Sequence, residues 1–268
     1  MESTLKIVKV SLFVHNGSAS MKKQPEKVRL DVLLKKNKIV DSRERARALI
    51  LAGKVLVDQF PVDKVGTKVR SDATIVIKGE DNPFVSRGGL KLQEAFNKTD
   101  WSANGLVCMD VGASTGGFTD CLLQNNARHV YAIDVGYGQL AWKLRQDNRV
   151  TVLEKTNIRY LPPDAISDEI DLVTVDTAFI SLKIVVPACM PFLKKQGRIM
   201  ALIKPQFEVG RKEVGKGGVV RDPQLHERVI DELNDFFHKK GLQMPFVVPS
   251  PILGPKGNKE FLAGLQRF

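Results

Sequence analysis

The chain has 268 residues, 43% of them hydrophobic, and carries 41 Lys/Arg against 30 Asp/Glu for a net charge of +11. That size and apolar content support one large buried core plus a smaller unit, and the positive surplus makes a polyanion, nucleic acid foremost, the expected partner. A zinc- or disulfide-stapled scaffold is excluded, because Cys108, Cys121 and Cys189 are scattered in apolar surroundings and no Cys/His cluster has ligand spacing.

No apolar run approaches the ~18 residues that a bilayer span needs. Residues 1–20 show no signal-peptide pattern. The expectation is a cytoplasmic protein with no membrane partner and no metal, in which residues 1–26 form an N-terminal extension. Residues 27–82 read as a small basic α+β unit, since residues 1–80 hold 17 Lys/Arg against 9 Asp/Glu and thus most of the positive surplus. Leu30, Val32 to Leu34 and Ile39 outline a short first helix with Lys35, Lys36 and Lys38 at its end. In a second helix, Asp41 with Glu44 fits a capping box, Ala46, Leu49 and Ile50 form the buried stripe, and Gly53 supplies the stop. Arg43 and Arg47 stand four apart and share one helical face. With Arg29 and Lys54 they are the candidate RNA phosphate contacts, the alternative being solvated cations. Two short strands, Val55–Val57 and Thr74–Ile77, complete the unit, and Gly79 to Pro83 reads as a linker.

Residues 83–268 alternate helices with apolar strands: Gly105–Met109, Val130–Asp134, Val150–Glu154, Leu172–Asp176, Ile199–Ile203 and Pro245–Val248. That alternation predicts a doubly wound α/β sheet, mostly parallel, with helices on both faces. After the first strand, Asp110 to Phe118 turns through Gly112, Gly116 and Gly117 and opens a helix over Phe118 to Asn126. A strand, a glycine turn and a helix N-terminus make a nucleotide cradle, yet three residues separate Gly112 from Gly116, unlike the dinucleotide G-x-G-x-x-G. The departure favours S-adenosylmethionine. Asp134, ending the next strand, would accept the ribose hydroxyls of such a cofactor, and the glycines would let backbone approach its methionine end. The alternative is a plain tight turn and a solvated loop acid. Asp176 and Lys204 each end an apolar strand, where an α/β sheet places its ligands. Lys91 and Glu260, taken singly, read as surface residues. The basic glycine loop Gly215 to Asp222 either closes over a ligand or is a flexible connection, and Phe179, Phe207 and Phe261 are expected to pack in the core or rim.

In chain order, SRGGLKL (86–92), DVGASTGGFTDCLL (110–123), DLVTVDTAFISL (171–182), LIKPQFEVG (202–210) and GNKEF (257–261) resemble the TlyA/hemolysin A family of FtsJ-like ribosomal RNA methyltransferases. The basic unit, RLDVLL through SRERARALILAGKVLVD, is similar to the RNA-binding domain named after ribosomal protein S-four. The resemblance runs from about Lys27 to the C-terminus. It implies a catalytic tetrad of Lys91, Asp176, Lys204 and Glu260. It also implies an S-adenosylmethionine site at Asp110, Gly112, Ser114, Gly116, Gly117, Phe118, Asp134, Asn157 and Asp176. The implied reaction is methyl transfer to a ribose 2′-hydroxyl of ribosomal RNA, with ribosomal subunits as partners. Three other readings compete: a membrane-lytic protein, an RNA-binding protein without activity, and an S-four-bearing pseudouridine synthase. No spanning segment or long basic amphipathic helix supports the first, the complete tetrad weighs against the second, and the nucleotide cradle against the third.

Overall fold

The computed structural model describes residues 25–40, 42–77, 82–210 and 212–268. They divide into two compact units, one before and one after position 82. Residues 1–24 of the expected extension, Asp41, and residues 79–81 of the expected linker lie outside the described residues.

The first unit runs β1 (Lys27–Arg29), α1 (Leu30–Lys36), α2 (Arg43–Leu51), β2 (Val55–Val57), β3 (Phe60–Val62), β4 (Lys68–Arg70) and β5 (Ile75–Ile77). β1 pairs with β4, and β2 stands between β3 and β5, all antiparallel. Its core joins Leu30, Leu33 and Leu34 of α1 to Ala46, Leu49 and Ile50 of α2 and to Val55 and Ile75 of the sheet. Each such buried aliphatic side chain is worth roughly 1.5–3 kcal/mol. The cap of α2 is Ser42, whose Oγ accepts the Arg45 N–H at 3.1 Å, so the helix starts one residue later than an Asp41 cap requires. Gly53 ends it as expected, at φ +64°, where the Lys54 N–H reaches back to the Leu49 carbonyl. β1, β3 and β4 were not expected from the sequence. They are only three residues long, and the β2–β3 turn uses Asp58 and Gln59 at positive φ instead of a glycine.

The second unit runs α3 (Gly88–Lys98), β6 (Val107–Val111), α4 (Gly117–Gln124), β7 (His129–Ile133), α5 (Trp142–Arg145), β8 (Val150–Leu153), β9 (Ile170–Val175) and α6 (Leu182–Cys189). It continues with β10 (Leu193–Ile203), α7 (Pro205–Glu208), α8 (Pro223–His238), β11 (Leu242–Pro249) and β12 (Phe261–Arg267). The sheet order is β11-β12-β10-β9-β6-β7-β8, parallel from β10 to β8, with β12 antiparallel to both neighbours. Successive residues of β6 feed opposite faces. Val107, Met109 and Val111 pack with α6 and α8, while Cys108 packs with α3, α4 and α5. The doubly wound layout expected from alternating helices and strands is present.

Two differences bear on the site. β6 starts two residues beyond Gly105 and carries Asp110 inside it, fully buried, where the sequence suggested an acid at the strand's end. The carboxylate is tolerated there because Thr119 and Thr174 donate their hydroxyls to it at 2.7 and 2.9 Å. β12 was not expected at all. Its Ala263-Gly264 pair lacks a strand-like pattern, and Gly264 is needed because a Cβ there would lie 2.4 Å from the Phe246 ring on β11.

Candidate active site

β6 has β7 on one side and β9 on the other, so the chain changes direction across the sheet beside β6. Ligands of open α/β sheets bind at such points, outside the strands' carboxyl ends. There the second unit holds a cavity of about 680 Å³. It is lined by Lys91, Gly112, Ser114, Gly117, Phe118, Asp134, Asn157, Asp176, Lys204 and Glu260 among others. Glu260 stands 56 positions beyond Lys204, the cavity residue before it in the chain, and reaches the site because β12 returns antiparallel beside β10, with Phe261 opposite Ile203.

The four tetrad positions form two ion pairs. Lys204 Nζ lies 2.5 Å from Asp176 Oδ1 and donates to the Thr177 carbonyl at 2.9 Å. Pro205 opens α7 and keeps the preceding residue extended (φ −118°), which leaves Lys204 at the strand's mouth. On α3, Lys91 Nζ donates to Glu260 Oε2 at 2.6 Å, across 169 residues of chain. Both partners are buried, and Glu260 Oε1 has no hydrogen-bond partner among the described residues. A buried acceptor without a donor is costly unless a ligand supplies one.

The glycine turn places Gly112 at φ +87°, Ser114 at +49° and Gly116 at +95°. A Cβ on Gly112 would lie 2.6 Å from the Asp176 carbonyl oxygen, and one on Gly117 would lie 2.3 Å from Ser86 Oγ. These two glycines let the turn close against β9's end and the segment before α3. Gly116 serves packing instead: its Cβ would meet Leu144 Cδ1 at 2.2 Å, and it does not line the cavity. Asp110 does not line it either, being spent on its two threonines. Burial pushes the Asp110 carboxyl up to about 6 against those donors. Asp134 does line the cavity, and its two oxygens accept the Ser114 and Gly136 N–H groups, each at 2.7 Å. Asn157 caps a turn by accepting the Arg159 N–H at 3.1 Å.

Several cavity residues had no signal in the sequence. Thr177 holds Lys204 by its backbone carbonyl, which any residue carries, and Arg159 lines the wall from an irregular turn. Phe207 is half-buried, and half-buried Phe261 packs edge-on against His226. Phe179 sits at the cavity's rim rather than in the core, at φ +63° and 89% exposed, with its ring 5.1 Å from that of Phe207. Residues 215–222 do not line the cavity.

Among the described residues, no group of three or more His, Cys, Asp or Glu side chains assembles as a metal site, and no helix is long and apolar enough to cross a membrane. In the first unit, Arg29 and Arg43 both bind the buried Asp31, at 3.0 and 2.7 Å. Arg47 and Lys54 are exposed.

Comparison with known proteins decides the family. The model of the FtsJ-like methyltransferases matches residues 84–267, and that of the S4 domain matches residues 28–75. The chain belongs to the FtsJ-like methyltransferase family. It is 46% identical over 242 residues to the 16S/23S rRNA (cytidine-2′-O)-methyltransferase TlyA of Mycobacterium tuberculosis, covering 90% of each chain. It is 40% identical over 237 residues to Hemolysin A of Brachyspira hyodysenteriae, covering 88% of this chain and 98% of that one. A solved hemolysin-named chain from Streptococcus thermophilus superposes with a TM-score of 0.72 at 42% identity, covering 91% of this chain and 90% of that one. The protein is thus an FtsJ-like methyltransferase with an N-terminal S4 domain. It shares its fold with a solved chain from Listeria monocytogenes named as a putative S-adenosylmethionine dependent methyltransferase, at 16% identity and a TM-score of 0.50, covering 68% of this chain and 100% of that one.

Proposed function

We propose that this methyltransferase transfers a methyl group from S-adenosylmethionine to a ribose 2′-hydroxyl of ribosomal RNA, acting on ribosomal subunits in the cytoplasm. The observation that carries the reading is the Lys204 ammonium, fixed between Asp176 and the Thr177 carbonyl at the mouth of the cavity that also holds Asp134. A relative 46% identical over 242 residues that is named for this reaction supports it.

The residues fit the cofactor. A cavity of about 680 Å³ is of nucleoside-ligand size. Each Asp134 oxygen accepts one backbone N–H and keeps a second lone pair for a ribose hydroxyl. Gly112, Ser114, Gly117 and Phe118 would border the rest of the molecule, with Asn157 at its far side. When bound, S-adenosylmethionine supplies an electrophilic methyl on a sulfonium.

A ribose hydroxyl is a weak nucleophile, so the protein must favour its alkoxide as attack proceeds. Lys204 does this with a compact positive charge aimed at the developing oxyanion, a stabilisation realised chiefly in the transition state. Asp176 orients that lysine through their ion pair. Lys91 holds the Glu260 carboxylate, whose Oε1 is left to accept a hydroxyl proton of the substrate ribose. In-line alignment of hydroxyl and methyl supplies much of the remaining acceleration.

The test is single-turnover methylation of unmodified subunits with saturating cofactor. Lys204→Ala is expected to lower the rate by roughly 10³-fold or more while cofactor affinity, read by calorimetry, stays within a few-fold. Lys204→Arg rescues poorly, because a planar guanidinium cannot place one compact charge at the same point. Near-normal turnover in Lys204→Ala removes the lysine from the mechanism.

A further inference from the structure

The glycine loop at 215–221 is held in place rather than loose. Its residues Gly215 and Val219 form an antiparallel bridge, and Val219 and Val220 are buried. Asn258, 2% exposed, clasps the loop from the other end of the chain: its Oδ1 accepts the Val220 N–H and its Nδ2 donates to the Gly218 carbonyl, both at 3.0 Å. The Val220 carbonyl in turn bonds His226 Nε2 on α8 at 3.0 Å. The Asn258 carbonyl accepts the Gly254 N–H at 2.8 Å, so the segment 250–260 folds back on itself and ends at Glu260.

The clasp joins two loops that carry Lys216, Arg221, Lys256 and Lys259, all exposed. Lys256 Nζ stands 3.6 Å from where a Gly218 Cβ would be, so one loop's ammonium lies over the other loop's backbone. Among the described residues none of these four cations has a carboxylate within ion-pair distance, whereas Glu260, the acid beside Lys259, is spent on Lys91 inside the cavity. Lys256 and Gly218 both hold positive φ, and Asn258 is what fixes both loops in that shape. Four unpaired cations on a rigid, pre-ordered edge lose little entropy on meeting a polyanion.

We propose that these clasped loops form a phosphate-gripping edge of the methyltransferase unit, which binds the RNA backbone next to the target nucleotide, with Asn258 as its positioning residue. The inference rests on the RNA reading above and adds a contact surface outside the S4 domain. An edge built on the segment that ends at Glu260 delivers RNA to the side of the cavity where the tetrad stands.

The experiment uses the full chain and a ribosomal RNA transcript. In Lys216→Gln/Arg221→Gln/Lys256→Gln, log affinity against log salt is expected to flatten by about 2, as three lost phosphate contacts require. KM for subunits should rise about tenfold or more, with cofactor affinity unchanged. Asn258→Ala should raise the same KM with all four cations present, a result that loss of charge alone does not produce. Asn258→Asp, which keeps the acceptor for Val220, should recover part of it. A triple variant with the wild-type salt slope and KM overturns the edge while leaving the methyltransferase reading intact. A wild-type protein that binds RNA through the edge but transfers no methyl to subunits overturns that reading and leaves the edge standing.

Discussion

Glu260 depends on a glycine six residues before it. A Cβ on Gly254 would lie 2.0 Å from Glu260 Oε1, the oxygen without a partner among the described residues. Gly254→Ala must therefore displace the carboxylate. Methyl transfer should fall about 100-fold, because a misplacement of about 1 Å costs that much. Calorimetric cofactor affinity should hardly change, since Gly254 is not among the cavity-lining residues. Asp134 makes the opposite prediction. Asp134→Ala removes charge-assisted acceptors from the cofactor side, and calorimetry should show binding weakened by about 1.5–3 kcal/mol. Unchanged affinity there would unseat the cofactor assignment. Asp110 shows why residue type and position do not settle a role: an acid beside a glycine turn serves either a ligand or two threonines, and only the strand's true end distinguishes them.

At the scale of elements, single carboxylates hold pieces of chain together. Asp31, in the first turn of α1, receives Arg29 from β1 and Arg43 from α2. The Arg29 guanidinium, aided by Arg43, brings its carboxyl down to about 2 against the opposing effect of burial. A folded pKa below the unfolded one means that this stabilisation is present above about pH 4 and is lost as pH falls through about 2. Amide exchange over residues 30–51 should be faster in Asp31→Asn than in the wild type at pH 6, and the two should converge toward pH 2. Persistence of the difference at pH 2 would show that the pair does not act through its charge. Glu208 of α7 plays a similar part for α6, accepting Ser181 Oγ at 2.6 Å and the Leu182 N–H at 2.8 Å. Glu208→Ala leaves the Leu182 N–H and the Ser181 hydroxyl without their acceptor, although Ser181 Oγ still caps Lys183, and should cost roughly 1–2 kcal/mol in urea unfolding.

For the whole molecule, Arg29 and Arg43 have a structural duty that their spacing did not reveal. Arg47→Ala with Lys54→Ala should flatten the salt dependence of RNA binding without altering the melting temperature, whereas Arg43→Ala should lower it by leaving buried Asp31 short of a partner. An unchanged salt slope in the Arg47/Lys54 variant would place the contacts elsewhere. The division into a small basic unit and a doubly wound α/β unit was legible in the chain, because hydrophobic period and glycine punctuation are local properties. So was the glycine turn with Asp134 after it, whose members lie within one strand–helix–strand stretch. The pairing of Lys91 with Glu260 was legible only through resemblance, since each alone reads as a surface residue and 169 positions part them. β12 and Gly254 left no mark in the sequence, and Asn258 stood only as one letter of GNKEF: their roles lie in contacts with β10, with Glu260 and with residues 218–220. The sequence by itself determined the two helices of the basic unit, the alternation of helices and parallel strands and the glycine turn, because those follow from local propensity and periodicity, but not β12 or the three-residue strands β1, β3 and β4. Only the tertiary structure decided which charges meet, which glycines are crowded and which acids are spent on neighbours, because those depend on distances between residues that the chain order does not encode.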